Sequence, residues 1–535
     1  MSGVRGVQPA SSLAVNALLG GYAFSGALTY GFIDGVPAST GATIIGASPA
    51  TFALKDAVDD AFAAVEAFTK LDLDRRQTGQ SADIEVITAD RVILEQPTGP
   101  VALELGAYAV LPSPGPLSGT IFIGRELTYG LSPGGFGFRA VLHEVGHALG
   151  LKQPDEPGPF AVLPASLDGP ELSVMSGRSF EGAPLSDGLG FEPDGFAQTY
   201  MPADIAALQH LYGANYSNKK NTTYRFDPDE RVMLLTIWDG GGTDTYDFSD
   251  YTTDLAIDLT PGNASTTGQE PQLNRAQELS DGDRPLYADG AIHNAFLYNN
   301  DRRSLIENAK GGQGDDTIIG NTADNRLEGR LGADWMSAGI GDDKLFGALG
   351  EDTLRGGDGT DHLAGGRGDD QLFGGRGADT LFGALGADDM NGGNGPDRLD
   401  AGYGRDSLRG EAGDDTLIGG NNNDWLHGGQ GNDCLMGQNN DDVLIGGQGK
   451  DTLIGGRGDD TLTGGKDQDL FVITGTGTTT ITDFSRQDLI DVDAPHRAFK
   501  NAKADGRHVI ITLDDDQVIE LKNFNIDALS RDDFL

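Results

Sequence analysis

A nine-residue repeat runs through residues 311–472 without a break in register. Written as G-G-x-G-x-D-x-U-x, where U is a large apolar residue, it occurs 18 times in succession. The sixth position is Asp in 17 copies, with Asn325 as the exception, and the eighth position is always Ile, Leu, Met or Phe. This pattern predicts stacked coils whose short strands point the apolar residue inward.

The residue types of the repeat indicate what it binds. Glycine allows positive φ and close backbone approach, so each half-coil can turn tightly and aim carbonyl oxygens inward. Aspartate adds a hard anionic oxygen, and calcium prefers about six to eight oxygen ligands in flexible geometry. Two nonamers per coil predict nine coils of a parallel β-roll, on the order of 40 Å long at the ~4.8 Å spacing of strands. The predicted calcium ligands are Asp316, Asp334, Asp343, Asp352, Asp361, Asp370, Asp379, Asp388, Asp397, Asp406, Asp415, Asp424, Asp433, Asp442, Asp451, Asp460 and Asp469.

The chain is strongly acidic, with 82 Asp and Glu against 38 Lys and Arg and a formal net charge of -44. Such a charge repels nucleic acid and anionic membranes, and it opposes compaction unless cations neutralise it. Residues 311–472 alone hold 31 acidic and 12 basic side chains, so folding of the roll is expected to depend on calcium. Poorer sites are expected where glycine is replaced, at 321–329, 421–423 and 439–440.

Cysteine usage and hydropathy bear on the location of the chain. Cys434 is the single cysteine, so no intrachain disulfide can form, which by itself favours a reducing compartment. No stretch is typical of a transmembrane helix. The uncharged segment 6–33 is interrupted by Gln8, Pro9 and Asn16, so it predicts early β-strands of a first domain rather than a secretory signal.

Several segments predict scaffold. Apolar residues at helical spacing predict an amphipathic helix at 51–71, and runs at 84–88 and 120–124 predict strands. After the roll, strand-like runs at 478–484 and 508–513 are expected to cap its open end, as solenoids require.

The first half carries a second motif, HEVGH at 143–147, on a predicted helix at 136–149. It sets His143 and His147 four residues apart on one helix face, near enough to bind one zinc ion. Zinc lowers the pKa of a bound water towards ~7 and polarises a peptide carbonyl, while Glu144 would take the proton and pass it to the leaving amine. The motif therefore predicts peptide hydrolysis.

The stretch HEVGHALGLKQP, from residue 143 to 154, resembles the metzincin signature HExxHxxGxxH. In that signature Gly150 supplies the turn that brings round a third histidine, but the third position here is Gln153. A segment similar to the serralysin Met-turn follows with Met175, and the Tyr expected two residues later is Gly177. With segments 204–213 and 237–251 and the repeats, the chain resembles the serralysins, secreted zinc metalloproteases with a β-roll, from about residue 20 onward.

The resemblance implies a multidomain fold. We expect an α+β metzincin-like zinc protease domain at 1–220, bridging strands at 221–310, the calcium-binding parallel β-roll at 311–472, and a C-terminal β capping and export segment at 473–535. Its acidic-then-apolar end, DDFL, is similar to the tails of proteins that a type I secretion transporter carries outside in one step. Such export accounts for the missing disulfides. A monomer is expected, with protein or peptide substrates, the transporter and a cognate inhibitor as partners.

The resemblance also implies a zinc site with Met175 as its floor. His143 and His147 would be two ligands, and the third is open: Gln153 offers an amide oxygen, whereas Asp155 or Glu156 offers a carboxylate. A neutral amide is the poorer ligand, so zinc binding weaker than that of the family is expected. Loss of the Tyr after the Met-turn is expected to lower the rate more than the metal affinity.

Two functions are compatible with these residues. Retention of Glu144 favours a secreted, calcium-stabilised zinc metalloendopeptidase, attenuated by Gln153 and Gly177. The alternative is a pseudoprotease, in which the zinc domain is a scaffold and the acidic roll serves extracellular calcium binding or adhesion.

Overall fold

A computed structural model describes residues 3–34, 42–96, 99–104, 106–114, 117–125, 127, 129–177, 195–230, 232–267, 274–275, 277–278, 286–287, 291–493, 495–514 and 516–535. The chain divides into two units. One comprises Met1–Asp244 and Leu259–Ile306, and the other comprises Thr245–Asp258 and Glu307–Leu535. The four-part division expected from the sequence stays a prediction.

The first unit is an α+β fold built on a five-stranded sheet. In spatial order its strands are Leu73–Arg75, Leu28–Ile33, Ile84–Ala89, Ile121–Gly124 and Ala107–Ala109. The first four strands run parallel, and the edge strand Ala107–Ala109 is antiparallel to its neighbour. Further strands of this unit are Gly3–Gly6, Tyr22–Ser25, Ala42–Ile45, Arg91–Gln96, Gly99–Glu104, Thr223–Arg225, Val232–Met233, Leu235–Ile237, Ala264–Thr267, Asn274–Arg275, Gln277–Glu278, Leu286–Tyr287 and Ile292–Asn294.

Four α-helices belong to the described part of the first unit: α1 (Leu13–Leu18), α2 (Phe52–Phe68), α3 (Phe136–Ala148) and α4 (Pro202–Tyr212). Single turns of 3₁₀ helix occur at Ala165–Leu167, Tyr298–Asn300 and Arg302–Ser304. The predicted helices at 51–71 and 136–149 are thus confirmed, with ends shifted by a few residues. The uncharged 6–33 region, where only strands were expected, holds the short helix α1 as well as strands, and its strand Tyr22–Ser25 pairs antiparallel with Gly3–Gly6.

Helix α2 forms where the sequence pattern placed it because apolar residues recur at helical spacing on one face, whereas α3 buries most of its residues. The side chain of Thr51 caps α2 by accepting the N–H of Leu54 at 3.2 Å. Helix α3 ends at a turn in which Gly150 has φ +109, and a Cβ there would lie 2.7 Å from the carbonyl oxygen of Tyr22. Glycine is therefore required at position 150, both by conformation and by space.

The second unit is the predicted parallel β-roll, which is confirmed. Successive strands alternate between two sheets, and within the repeats each strand pairs in parallel with the strand 18 residues later. One sheet contains Thr245–Asp247, Asn308–Lys310, Arg326–Leu331, Lys344–Leu349, His362–Arg367, Thr380–Leu385, Arg398–Tyr403, Thr416–Asn421, Cys434–Asn439, Thr452–Arg457, Leu470–Val472 and Leu489–Asp491. The other contains Leu255–Asp258, Thr317–Ile319, Trp335–Ile340, Thr353–Asp358, Gln371–Arg376, Asp389–Asn394, Ser407–Ala412, Trp425–Gln430, Val443–Gln448, Asp460–Lys466 and Gly477–Ile481.

The core of the roll is the eighth position of the repeat. Each residue in this column, from Ile318 to Phe471, is fully buried. A fully buried aliphatic side chain contributes about 1.5–3 kcal/mol relative to exposure, so this single column is the main apolar stabilisation of the roll.

The roll extends beyond the repeats at both ends. Strands Thr245–Asp247 and Leu255–Asp258 pair with the first strands of the repeat region, so they form a starting coil. At the other end, strand Gly477–Ile481 pairs with Asp460–Lys466 and with Gln517–Leu521. Strands Ala502–Asp505 and His508–Asp514, helix α5 (Pro495–Asn501) and 3₁₀ turns at Ile526–Ala528 and Arg531–Asp533 complete the C-terminal segment. No helix in the described ranges is long and apolar enough to cross a membrane.

Candidate active site and metal centres

His143 and His147 lie on the same face of α3, with ring centroids 4.6 Å apart. Each ring is oriented by its Nδ1 atom, which donates a hydrogen bond to a main-chain carbonyl: Val174 at 2.9 Å and Leu151 at 2.8 Å respectively. Burial lowers the pKa of both imidazoles, so they stay neutral near pH 7. Both Nε2 atoms therefore keep a lone pair for a metal ion.

Glu144 is buried beside the two histidines. Its carboxyl accepts a hydrogen bond from the backbone N–H of Ala109, and Oε2 has no hydrogen-bond partner among the described residues. Burial raises the pKa of Glu144 to about 8, against the opposing effects of Ala109 and Arg139. A buried carboxyl with a free oxygen and a pKa near neutrality suits a general base.

The two imidazoles and Glu144 fit a catalytic zinc ion, because neutral imidazoles offer free nitrogens next to an unpartnered buried carboxyl oxygen. The third ligand is not in place. No three His, Cys, Asp or Glu side chains among the residues that the structure describes are grouped closely enough to hold a metal.

These side chains line a cleft of about 510 Å³. The cleft is lined by Ala107, Tyr108, Ala109, Val110, Leu111, Ser113, His143, Glu144, His147, Gln153 and Glu156. Gln153 and Glu156 are thus candidate ligands that face the cleft, whereas Asp155 is not among the lining residues. His210 lies elsewhere, on α4, where its Nε2 bonds to the carbonyl of Gln8 at 2.8 Å.

Met175 lies beneath α3, where the resemblance implied a floor. It is fully buried, and a Cβ at Gly146 would lie 2.7 Å from its sulfur. Gly177 lies two residues later and is the last residue of the described range 129–177.

The Met-turn is held by two buried charged groups. Arg139, one helical turn before His143, donates to the carbonyls of Val174 and Ser176. Asp204 on α4 accepts from the N–H groups of Val174 and Met201 at 2.8 and 3.0 Å. The carbonyl of Val174 also accepts the hydrogen bond from Nδ1 of His143. Arg139 and Asp204 therefore help to set the orientation of a candidate zinc ligand.

The sixth-position aspartates of the roll form two ladders. From Asp334 to Asp469, Oδ1 of each aspartate accepts the backbone N–H of the residue 18 positions earlier, as Asp352 does from Asp334 at 2.8 Å. Oδ1 of Asp316 accepts the N–H of Leu255 at 2.8 Å instead. The carboxylates are almost fully buried. Oδ2 has no partner in fifteen of them, from Asp334 to Asp460, within the fully described roll. A row of buried carboxylate oxygens without donors fits bound calcium, which would supply the missing partner.

The first position of the repeat, which is glycine in sixteen of the eighteen copies and alanine at Ala338 and Ala401, lies against this oxygen. A Cβ at Gly347 would lie 2.1 Å from Oδ2 of Asp352 and 2.8 Å from the carbonyl of Gly365. Without a cation, burial raises the pKa of these carboxyls, to about 8 in Asp334 and Asp442. At Asn325, where the acid is absent, the side-chain amide nitrogen donates to the carbonyl of Glu307 at 2.8 Å.

Comparison with known families agrees with this geometry. A model described as "RTX calcium-binding nonapeptide repeat (4 copies)" matches residues 310–345, 337–372, 365–399, 400–435 and 436–471. A model described as "Peptidase M10 serralysin C terminal" matches residues 203–271. Serralysin G of Dickeya chrysanthemi is 33% identical over 212 residues, which cover 36% of this chain and 38% of the relative. The chain is a serralysin-type RTX protein.

Two further serralysins are similar to this serralysin-type protein over a comparable length. Serralysin of Proteus mirabilis is 32% identical over 220 residues, covering 36% of this chain and 37% of its own. Serralysin C of Dickeya chrysanthemi is 34% identical over 233 residues, covering 40% and 43%. The matches thus span less than half of each curated relative. A solved structure, "Crystal structure of extracellular lipase LipA from Serratia marcescens", covers 43% of this chain and 40% of its own at 17% identity, and its TM-score of 0.15 carries no structural argument.

Sequence reasoning about this serralysin-type protein missed three groups. Asp488 continues one aspartate ladder, because its Oδ1 accepts the N–H of Asp469 at 3.1 Å; a D-L-I triplet 19 residues on was the available signal. Asp204 was treated as part of a resembling helix, and nothing local indicated that it holds the Met-turn. Lys152, next to Gln153, is almost fully buried, which no pattern in the sequence indicated.

Proposed function

We propose that this serralysin-type protein is a secreted, calcium-stabilised zinc endopeptidase that hydrolyses extracellular protein substrates. The observation that carries the proposal is the pair of imidazoles whose Nδ1 atoms are fixed on main-chain carbonyls, with buried Glu144 lining the same cleft. Zinc would be held by His143 and His147, and when bound it supplies the Lewis acidity that lowers the pKa of water and polarises a peptide carbonyl.

The chain's own residues would carry out the proton transfers. Glu144 takes a proton from the attacking water and passes it to the leaving amine, for which its pKa near neutrality is suited. The N–H of Ala109 holds the carboxyl of Glu144 in place. Burial of the carboxyl keeps bulk water away from it, which strengthens its interaction with the reacting groups.

The cleft also supports a peptide substrate. Within the described residues, the five-stranded sheet ends at Ala107–Ala109, and this edge strand lines the cleft with both histidines. An extended peptide can bind such an edge as an additional strand, through main-chain hydrogen bonds. Its scissile bond would then lie beside Glu144.

Hydrolysis of casein or gelatin, with zinc and calcium present, tests the proposal. Wild-type protein is expected to cleave, and Glu144→Ala is expected to lose at least about 100-fold in rate through loss of the general base. Equal residual activity in the wild-type protein and Glu144→Ala contradicts the proposal that this site hydrolyses peptides. The matched control is Glu66→Ala on α2, which lies outside the residues that line the cleft.

A second candidate function is that of a pseudoprotease whose acidic roll binds calcium or other molecules outside the cell. The incomplete ligand set among the described residues favours it, together with Gln153 and Gly177. A pseudoprotease would bind calcium normally, and neither the wild-type protein nor Glu144→Ala would hydrolyse casein or gelatin.

Export through a type I transporter belongs to the same proposal. A roll that is unfolded at low intracellular calcium can thread a narrow channel and fold outside, where calcium is plentiful. Deletion of the last ~50 residues is expected to leave the protein inside the producing cell, whereas the full chain appears in the medium. A cognate inhibitor and a monomeric state are further parts of this proposal.

A further inference from the structure

We infer that Glu156 supplies the third zinc ligand and that Lys152 is the residue that positions it. This inference rests on the proposed zinc endopeptidase. It replaces the histidine of the family signature by a carboxylate and gives two histidines and one glutamate, a donor set known for catalytic zinc.

The loop that follows α3 carries three side chains with oxygen atoms that could bind zinc. Among its three oxygen-bearing candidates, Gln153 and Glu156 line the cleft with His143 and His147. Asp155 does not line it, although its Oδ1 is buried without a partner among the described residues. Asp155 thus lies in the loop but does not line the cleft.

The second observation is how this loop is held. The Nζ of Lys152 donates to the carbonyls of Gln153 and Glu156, at 3.1 and 2.6 Å, and its backbone N–H donates to the carbonyl of Leu18 at 2.8 Å. The N–H of Glu156 closes the turn on the carbonyl of Gln153 at 3.2 Å. A Cβ at Gly158 would lie 2.5 Å from Cε of Lys152, so the chain wraps closely around this side chain.

Charge then decides between the two candidates that face the cleft. Two neutral imidazoles and a neutral amide would leave the charge of a zinc ion uncompensated, and the buried Lys152 adds a further positive charge to the same loop. The carboxylate of Glu156 compensates part of that charge and is the stronger zinc ligand. The Glu156 side chain is exposed and lines the cleft with both histidines.

The buried Lys152 accordingly acts through the main chain. By holding both carbonyl groups of the turn, it fixes the backbone at Glu156 and reduces the conformational freedom that metal binding must remove. Lys152 is therefore a positioning residue rather than a ligand.

Zinc affinity tests the inference independently of activity. Metal-free full-length protein in excess calcium is titrated with zinc against a colour-forming chelator, with the double variant His143→Ala/His147→Ala as the blank for zinc bound elsewhere. Glu156→Gln is expected to weaken zinc binding at least about tenfold, while Gln153→Leu and Asp155→Asn change it less than about threefold. A larger loss in Gln153→Leu than in Glu156→Gln overturns the assignment of Glu156, and so does wild-type binding no greater than the blank.

A double-mutant cycle tests the positioning role. Lys152→Met is expected to weaken zinc binding about tenfold in the wild-type background and by less than about twofold in the Glu156→Gln background, because the ligand that it positions is then gone. Equal losses in both backgrounds show a general structural effect and overturn the role of Lys152. Far-UV circular dichroism of each variant, in calcium, verifies that the fold is kept.

The outcome separates this inference from the proposed function. Hydrolysis that requires Glu144 but is insensitive to Glu156→Gln overturns the inference alone. Zinc binding that depends on Glu156 without any hydrolysis overturns the proposed function alone.

Discussion

Asp204 Oδ2 accepts a 2.8 Å hydrogen bond from the backbone N–H of Val174. The carbonyl of Val174 accepts a hydrogen bond from Nδ1 of His143. A carboxylate on α4 is therefore linked to a candidate zinc ligand on α3 through one residue of the Met-turn. Asp204 also accepts from the hydroxyl of Ser173 and the N–H of Met201. The Met-turn is thus a hydrogen-bonded connection between two helices as well as a packing surface.

Replacement of Asp204 by Ala is expected to destabilise the first unit by about 2–4 kcal/mol, because three donors would be left buried without an acceptor. Zinc affinity is expected to fall with it, since the partner of His143 is no longer held. Denaturant unfolding followed by fluorescence measures the loss of stability. The matched control is Asp60→Ala on the exposed face of α2, with an expected change within about 0.5 kcal/mol; equal changes in both variants contradict the prediction.

Substitution of Gly146 by Ala is expected to cost about 1–3 kcal/mol, because the new methyl group overlaps the sulfur of Met175. Met175→Ala removes the overlap but leaves a cavity, at a cost of about 2–5 kcal/mol by itself. The double variant is therefore expected to be more stable than the sum of the two single changes predicts. Thermal unfolding of all four proteins measures the coupling, and strict additivity counts against direct contact. Gly6→Ala, where no atom lies within 4 Å of the new Cβ, is the control.

Neighbouring aspartates of the roll offer a matched pair. Asp388 is buried with Oδ2 unpartnered among the described residues, whereas Asp389 is half exposed and pairs with Arg409 at 2.6 Å. Asp388→Asn is expected to remove calcium ligation on both sides of its turn and to lower stability in calcium by about 1–3 kcal/mol. Asp389→Asn is expected to change it by less than about 1 kcal/mol, as for other exposed ion pairs. Calcium titration followed by circular dichroism compares them, and identical midpoints argue against Asp388 as a ligand.

Removal of calcium is expected to unfold the roll near neutral pH, where fifteen unpartnered carboxylate oxygens would carry charge in a buried position. Far-UV circular dichroism with a calcium chelator measures the loss of β signal. A spectrum unchanged by the chelator would sink the prediction.

The calcium-free roll is also expected to be more stable in acid. Burial raises the pKa of the sixth-position aspartates, for example to about 7 in Asp370 and about 8 in Asp442, above the value of about 3.9 in an unfolded chain. A raised folded-state pKa means that stability is fully present below the unfolded pKa and is lost as pH rises through the folded pKa. After dialysis against chelator, the β signal should therefore be larger near pH 5 than near pH 8. The opposite order contradicts the pKa shifts, and added calcium should reverse the dependence.

Much of the roll could be predicted from sequence because its contacts are periodic and short in range. Asp334 and Asp352 are partners 18 residues apart, and the same spacing recurs in every coil, so the register of one pair fixes all the others. The ends were harder to predict. The starting coil at Thr245–Asp258 and the continuation at Asp488 lack the nine-residue spacing, and only strand pairing shows that they belong to the roll.

The sequence by itself determined the roll, its aspartate ladders and the pairing of His143 with His147, because each depends on a fixed spacing along the chain. Only the tertiary structure decided that Asp204 holds the partner of His143, that the edge strand Ala107–Ala109 lines the cleft, and that the buried Lys152 donates to the carbonyls of Gln153 and Glu156. The physical reason is that these buried polar groups form hydrogen bonds with residues far away in the sequence. Ala109 and Glu144 are 35 residues apart and Val174 and Asp204 are 30 apart, and no local periodicity records which of many possible donors each carboxylate will meet.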